Sequence, residues 1–167
     1  MRRCLYTLLL PLALAPLLAG AAGGPNGESK FTLTAAEKKF LELTNAERIK
    51  NKLPPLTLNL TLSKVARAHS ENMARQGKMD HILDGKDQFA RIKGSGYRYR
   101  YAGENVGRGD VEIAEMVELL MKSPSHRANI LKPEYTEIGV GLAPAPKEVT
   151  YYTQVFASPK MPPKAAP

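Results

Sequence analysis

"TEIGVGLAPAPKEVTYYTQVFA", Thr136 to Ala157, changes the rhythm of the chain. Ile138, Val140 and Leu142 recur at every second position, the period of a strand. Val149 to Ala157 is a β-branched and aromatic run with the same preference. "PAPKE" between them reads as a turn, so the two runs pair as an antiparallel hairpin. Everything upstream with a clear period has that of a helix. Helices followed by a small antiparallel sheet give an α+β domain with helices packed on the sheet.

Four helices are readable. Thr34 and Glu37 form a capping box for the first, whose apolar positions are Ala36, Phe40, Leu43, Ala46 and Ile49; Pro54 and Pro55 forbid its continuation. The second runs from about Ser63 to Gln76, stops at Gly77, and gathers Leu62, Val65, Ala66, His69 and Met73 on one face. Asp84 is the expected cap of a short third helix holding Phe89 and Ile92 and ending at Gly94. "GYRYRYAGENVGRG", Gly96 to Gly109, begins with strand-like alternation and ends as a glycine-punctuated loop. Asp110 caps a fourth helix with Ile113, Met116, Val117, Leu120 and Met121 on its apolar face. It ends at Ser123, which caps the helical turn of "SPSHRANIL" with Pro124 at the first position.

The chain has 167 residues, and its start does not read as fold. Met1-Arg2-Arg3, an apolar run from Cys4 to Leu18 and the small residues Ala19-Gly20-Ala21 are the parts of a secretory signal peptide, residues 1–21. Pro11 and Pro16 inside the run argue against a membrane anchor, and no second long apolar run follows. Cys4 is the only cysteine and stands at the very start of the apolar run, so the mature chain is expected to carry neither a disulfide nor a nucleophilic thiol. Roughly 145 residues suffice to hold one domain by its core. Residues 22–33 read as a flexible leader, 34–157 as the domain and 158–167 as a Pro-rich tail. The formal charge is +8, or +6 without Arg2 and Arg3, a balance that suits anionic surfaces such as wall polymers or lipid headgroups.

Three histidines remain for chemistry. His69, inside an apolar helix face, reads as a hydrogen-bonded core residue, whereas periodicity explains nothing about His81 in "GKMDH". His126 falls at the third position of its helical turn, where the dipole favours a neutral ring. Glu104, between glycines in "AGENVG", reads as loop-borne. Two histidines and a carboxylate on three segments have the ligand chemistry of an open zinc site, although no HExxH or cysteine pair supports it. Ser125 and His126 are adjacent, too close to serve as nucleophile and base, and no G-x-S-x-G occurs. "YRYRY", Tyr97 to Tyr101, has the composition to stack on bases or sugars; a secreted chain disfavours nucleic acid, and a two-faced edge strand also explains it. "NLT" at Asn59 fits a glycosylation acceptor, a triplet that arises often by chance.

Taken in order, "LTNAERIKNKLPPLTLNLTLSKVARAHSENMARQGKMDH", "GENVGRG", "SPSHRANIL", "YTEIGVGLA" and "YYTQVF" resemble the CAP superfamily of cysteine-rich secretory, antigen 5 and pathogenesis-related 1 proteins, in its bacterial SCP-like branch. The resemblance covers about Thr34 to Phe156. It implies an α-β-α sandwich with a central antiparallel sheet between helices. It also implies a cleft with two histidines and two glutamates, in which the histidines of some members hold a divalent metal. His81, Glu104 and His126 match three of the four, with His81 and His126 as the metal ligands and Asn105 beside Glu104 in the cleft. Ser123 stands where the second glutamate is expected, and Ser125 replaces a glycine. Leu120 and Tyr152 stand where tryptophan is common. Glu112, Glu115 and Glu118 lie opposite the apolar helix face and do not supply the missing carboxylate.

The reading that follows is a secreted binding protein. Its cleft, lined by His81, Glu104, Asn105, Ser123 and His126, weakly holds a zinc-like metal and takes a small or extended ligand of lipid or cell-wall type. The first alternative is a metal-dependent hydrolase with Glu104 as general base. The second is a surface protein that binds wall polymers through its basic residues.

Overall fold

The computed structural model describes residues 31–160. The expected signal peptide, the leader up to residue 30 and the tail from residue 161 lie outside them. Packing begins at Phe31, earlier than the predicted domain start: Leu33 is buried in the core, and the Arg67 guanidinium sits 4.1 Å from the Phe31 ring centre.

Helix α1, Ala35–Lys50, has the predicted capping box, with Glu37 N–H donating to Thr34 and Thr34 N–H to Glu37. Its buried face shares Phe40 with the predicted one but otherwise differs. Glu37, Phe40, Thr44 and Arg48 point inward, and Ile49 is 60% exposed. Polar residues can face the core here because each has a partner. Glu37 pairs with Arg67, and Arg48 donates to the carbonyls of Pro54, Ile130, Lys132 and Tyr135.

A two-residue strand β1, Thr57–Leu58, leads into α2, Leu60–Gln76. Asn59 caps α2 by accepting from Leu62 N–H, and Gly77 ends it in the left-handed conformation. Asp84 does not cap the third helix: it lies in a tight turn at φ 52°. Asp87 is the cap, accepting from Ala90 N–H at 2.7 Å, and α3 is Gln88–Gly94. The segment predicted to end in a loop is instead one long strand, β2, Tyr99–Gly109, which carries Glu104 at its middle. Helix α4, Ile113–Lys122, follows Glu112 rather than Asp110, and α5 is Pro124–Ile130. Strands β3, Glu137–Pro144, and β4, Thr150–Pro159, form the predicted hairpin.

The sheet order is β1-β3-β4-β2, antiparallel except for the parallel pairing of β1 with β3. Helices cover both faces, which makes an α-β-α sandwich. On one side Phe40, Met116, Val117, Leu120 and Ile130 pack on Ile138, Val140, Tyr152 and Phe156. On the other, Leu62, Val65, Ala66 and Ile92 pack on Val155 and Ala157. The inner faces thus alternate along β4, as a strand buried on both sides requires.

Gly139 and Gly141 of β3 point toward α2 with no side chain between. A Cβ on Gly139 would meet the Leu62 carbonyl carbon and Ser63 nitrogen, and one on Gly141 the Arg67 backbone. Ser70 of α2 closes the contact by donating to the Gly141 carbonyl at 2.9 Å.

Gly141→Ala is therefore expected to lower unfolding free energy by about 3 kcal/mol or more, since backbone cannot move aside as a flexible side chain does. Gly94→Ala, with nothing within 4 Å of its would-be Cβ, should be neutral or stabilising. Urea midpoints of the two variants check the contrast.

Candidate functional site

The site forms around β2. Glu104 and Asn105 are neighbours on a strand, so their side chains leave opposite faces of the sheet. Each finds a different layer.

Glu104, 4% exposed, faces the α2 and α3 side. Arg91 of α3 meets its carboxylate with Nη2 at 2.9 Å from Oε1 and 2.7 Å from Oε2. The same guanidinium donates through Nη1 to the carbonyls of His81, 2.9 Å, and Lys86, 2.8 Å. His81 Nδ1 lies 2.9 Å from Glu104 Oε1. Arg91 thus fixes the carboxylate and the backbone of the histidine that approaches it. His69 is buried, as expected of a core residue, with Nε2 3.0 Å from the Asp80 carbonyl. That nitrogen also stands 3.7 Å from Glu104 Oε1, so the core histidine borders the site.

Asn105, 1% exposed, faces the other layer. Its Nδ2 donates to the His126 carbonyl and to Gln154 Oε1, both at 3.0 Å. Asn129 Nδ2 donates to Asn105 Oδ1 at 2.9 Å and to the Glu104 carbonyl at 3.2 Å. Gln154 then donates to Thr44, and Thr44 to the Phe40 carbonyl, each at 2.7 Å. A fully paired polar chain runs from α5 across this face of the sheet to α1, and it sets the position of His126.

His126 is the third residue of α5, after Ser123 at the cap and Pro124. The Ser123 hydroxyl makes no capping bond; it lies 3.4 Å from that of Ser125. Burial, and then the charge of His81, hold the His126 ring below its ordinary value of 6.5. Burial and a neighbouring imidazole thus act in the direction expected for a neutral ring. Burial likewise depresses His69, whereas the hydrogen bond to Glu104 raises His81.

The sequence-predicted residues are thus partly brought together. His81 and Glu104 touch, and Asn105 joins β2 to His126. Ser123 makes no hydrogen bond or ion pair with His81, Glu104 or His126 among the described residues. Glu112, Glu115 and Glu118 are exposed, as expected. Arg91 was not anticipated: four other basic residues lie between positions 86 and 100, and nothing local singles it out.

These residues do not fit a zinc site built on Glu104. Its oxygens already accept two bonds from Arg91 and one from His81, and a fixed positive charge beside a cation site repels the cation. Among the described residues, no three His, Cys, Asp or Glu side chains are placed to hold one ion. His81 and His126 remain as two imidazoles, with Glu104 in the role of acceptor that orients His81.

Two outcomes follow. Glu104→Gln leaves Arg91, whose side chain is 13% exposed, without its counter-charge, and should cost about 3–5 kcal/mol in denaturant unfolding. The three histidines also shape the pH profile. His69 and His126, depressed in the folded state, make stability fall as pH drops below 6.5, because the unfolded chain takes protons that the native one refuses. His81, raised, contributes stability that is present below 6.5 and lost as pH rises through its folded value. In urea unfolding across pH, His69→Asn should flatten the acid limb, and His81→Asn should remove the loss above 6.5.

Comparison with known proteins agrees with this architecture. Residues 41–156 match the model of the cysteine-rich secretory protein family, CAP. The uncharacterized protein YkwD of Bacillus subtilis is 45% identical over 111 residues, 66% of this chain. The chain spans 43% of YkwD, less than half of the curated relatives it matches. Among solved structures, an outer surface protein from Borrelia burgdorferi superposes with TM-score 0.69 at 22% identity, over 74% of this chain and 92% of that one. NaASP2, whose crystal structure was determined with Zn2+, has the same fold at TM-score 0.51 and 14% identity, over 72% of this chain and 78% of its own. No described helix is long and apolar enough to cross a membrane. The chain belongs to the CAP family of cysteine-rich secretory proteins.

Proposed function

We propose that this chain is a secreted CAP-domain binding protein whose cleft, formed at His81, Glu104, Asn105 and His126, holds a small or extended ligand of lipid or cell-wall type. One observation carries the preference for binding over hydrolysis, the engagement of Glu104. A general base must reach its proton within about 2.6–3.2 Å, directly or through one water. Glu104 is buried, and its carboxylate already accepts two bonds from Arg91 Nη2 and one from His81. Taking a proton there would break the ion pair that holds α3 to β2. What faces outward is His81, whose side chain is 45% exposed and whose Nδ1 is committed, so its Nε2 is the atom offered to a ligand.

Divalent metal enters this reading only through the two imidazoles. With at most two protein ligands, zinc binding should be modest and acid-sensitive, because protonated imidazole does not ligate. Calorimetric titration with zinc should show weaker binding for His126→Ala than for the wild type. Ser123→Glu, which restores the fourth family group, should bind more tightly. Equal affinity in all three would make His126 structural.

Activity assays test the function itself. The purified mature protein is expected to give no turnover of peptide, ester or wall substrates above background. Turnover that disappears in Glu104→Gln while folded protein remains, and persists in a surface variant such as Glu118→Gln, would make this a hydrolase.

A further inference from the structure

At the N-terminal end of β2 the surface forms a concavity of about 340 Å³, lined by Lys93, Tyr97, Arg98, Tyr99 and Lys160. Tyr99 is five residues from Glu104, roughly 16 Å along a strand, so this is not the histidine cleft. Its cations come from three places: the last turn of α3, the segment entering β2, and the residue after β4. The backbone holds them together, since Lys160 N–H donates to the Arg98 carbonyl at 2.9 Å.

The tyrosines are fixed too. Tyr97 donates its hydroxyl to Glu137 at 2.7 Å, and that carboxylate also accepts from Asn59. Tyr99 lies beside Phe89, with ring centres 6.3 Å apart. No acidic residue lines the concavity, and none of Lys93, Arg98 and Lys160 has an acidic partner within 4.0 Å among the described residues. Three like charges around one hollow repel one another, and an entering anion would relieve that repulsion. The lining contains no Leu, Ile, Val or Met, so it suits the polar faces and edges of a ring rather than an acyl chain.

We propose that this hollow binds an anionic sugar unit, a phosphate or carboxylate carried on a saccharide ring, with the cations holding the charge and Tyr99 stacking on the ring. The site rests on the basic surface alone and is independent of the cleft reading.

The probes are glucose 6-phosphate, glucuronate, glucose and inorganic phosphate, titrated at low salt into the folded full chain and followed by NMR shifts of the tyrosine rings. The two charged sugars should bind, and glucose should bind roughly tenfold or more weakly. The triple variant K93Q/R98Q/K160Q should lose about tenfold or more for both charged sugars. Tyr99→Ala should weaken glucose 6-phosphate but not inorganic phosphate. K38Q/K39Q/K52Q, on exposed residues elsewhere, and His126→Ala should bind as the wild type does. Equal loss in the two triple variants would reduce the effect to net charge and overturn the proposal, as would wild-type affinity in K93Q/R98Q/K160Q. Binding to anionic phospholipid vesicles without binding to either sugar acid would reassign the patch to membranes. Failure here leaves the histidine cleft untouched, because His126→Ala reads that site separately.

Discussion

Helix α2 rests on strand β3 backbone to backbone, and the rest of the molecule is arranged around that contact. Gly139 and Gly141 leave no side chain between the two elements, so the helix axis lies closer to the sheet than ordinary packing through side chains allows. The position of α2 along the strand is then fixed, because the Leu62–Ser63 and Ala66–Arg67 peptides must sit over the two glycines. Ser63 and Ser70 add hydrogen bonds at the same seam, to Val140 N–H and the Gly141 carbonyl. Once α2 is placed, its middle carries His69 to within 3.7 Å of Glu104, and the chain leaving Gly77 brings His81 back to the same carboxylate.

The opposite layer is held by buried polar groups rather than by apolar contact alone. Arg48 is fully buried without a carboxylate partner, and its charge is spread over four carbonyl groups. Two of these, Ile130 and Lys132, lie at the end of α5 and just beyond it, so one α1 side chain sets where α5 stops. The Asn105–Gln154–Thr44 chain fixes its other end. Such groups are costly to bury unless fully paired, and here the pairing itself determines geometry. Hydrogen bonds from both sides therefore hold the helix that carries His126.

Charge decides what the cleft can do. In a family cleft with two carboxylates and two histidines, a cation would compensate excess negative charge. This chain sets a guanidinium against Glu104. Arg91 therefore does internally what a bound ion would do, and the same guanidinium ties down the His81 and Lys86 carbonyls. Glu104 becomes the brace between β2 and α3.

The sequence by itself determined the elements with strong periodic or capping signals: the hairpin at Ile138 to Ala157, the capping box at Thr34, the apolar face of α2 and its stop at Gly77. It also supported the α+β class and, through its ordered motifs, the family. These are local properties, written in residues near one another in the chain. It placed Phe40 correctly but missed Glu37, Thr44 and Arg48 on the buried face of α1, because they are polar and partners 30 to 110 residues away complete the pairing that makes their burial favourable. It read Glu104 as loop-borne, because glycines mark loops, whereas Gly103 and Gly107 are small here to admit Tyr135 and Met116 against a strand. Arg91 was invisible for the same reason: a basic residue on a short helix becomes a site residue only when α3 lies beside β2. Only the tertiary structure decided these points, since burial of a polar group depends on its distant partner and not on its neighbours in the chain.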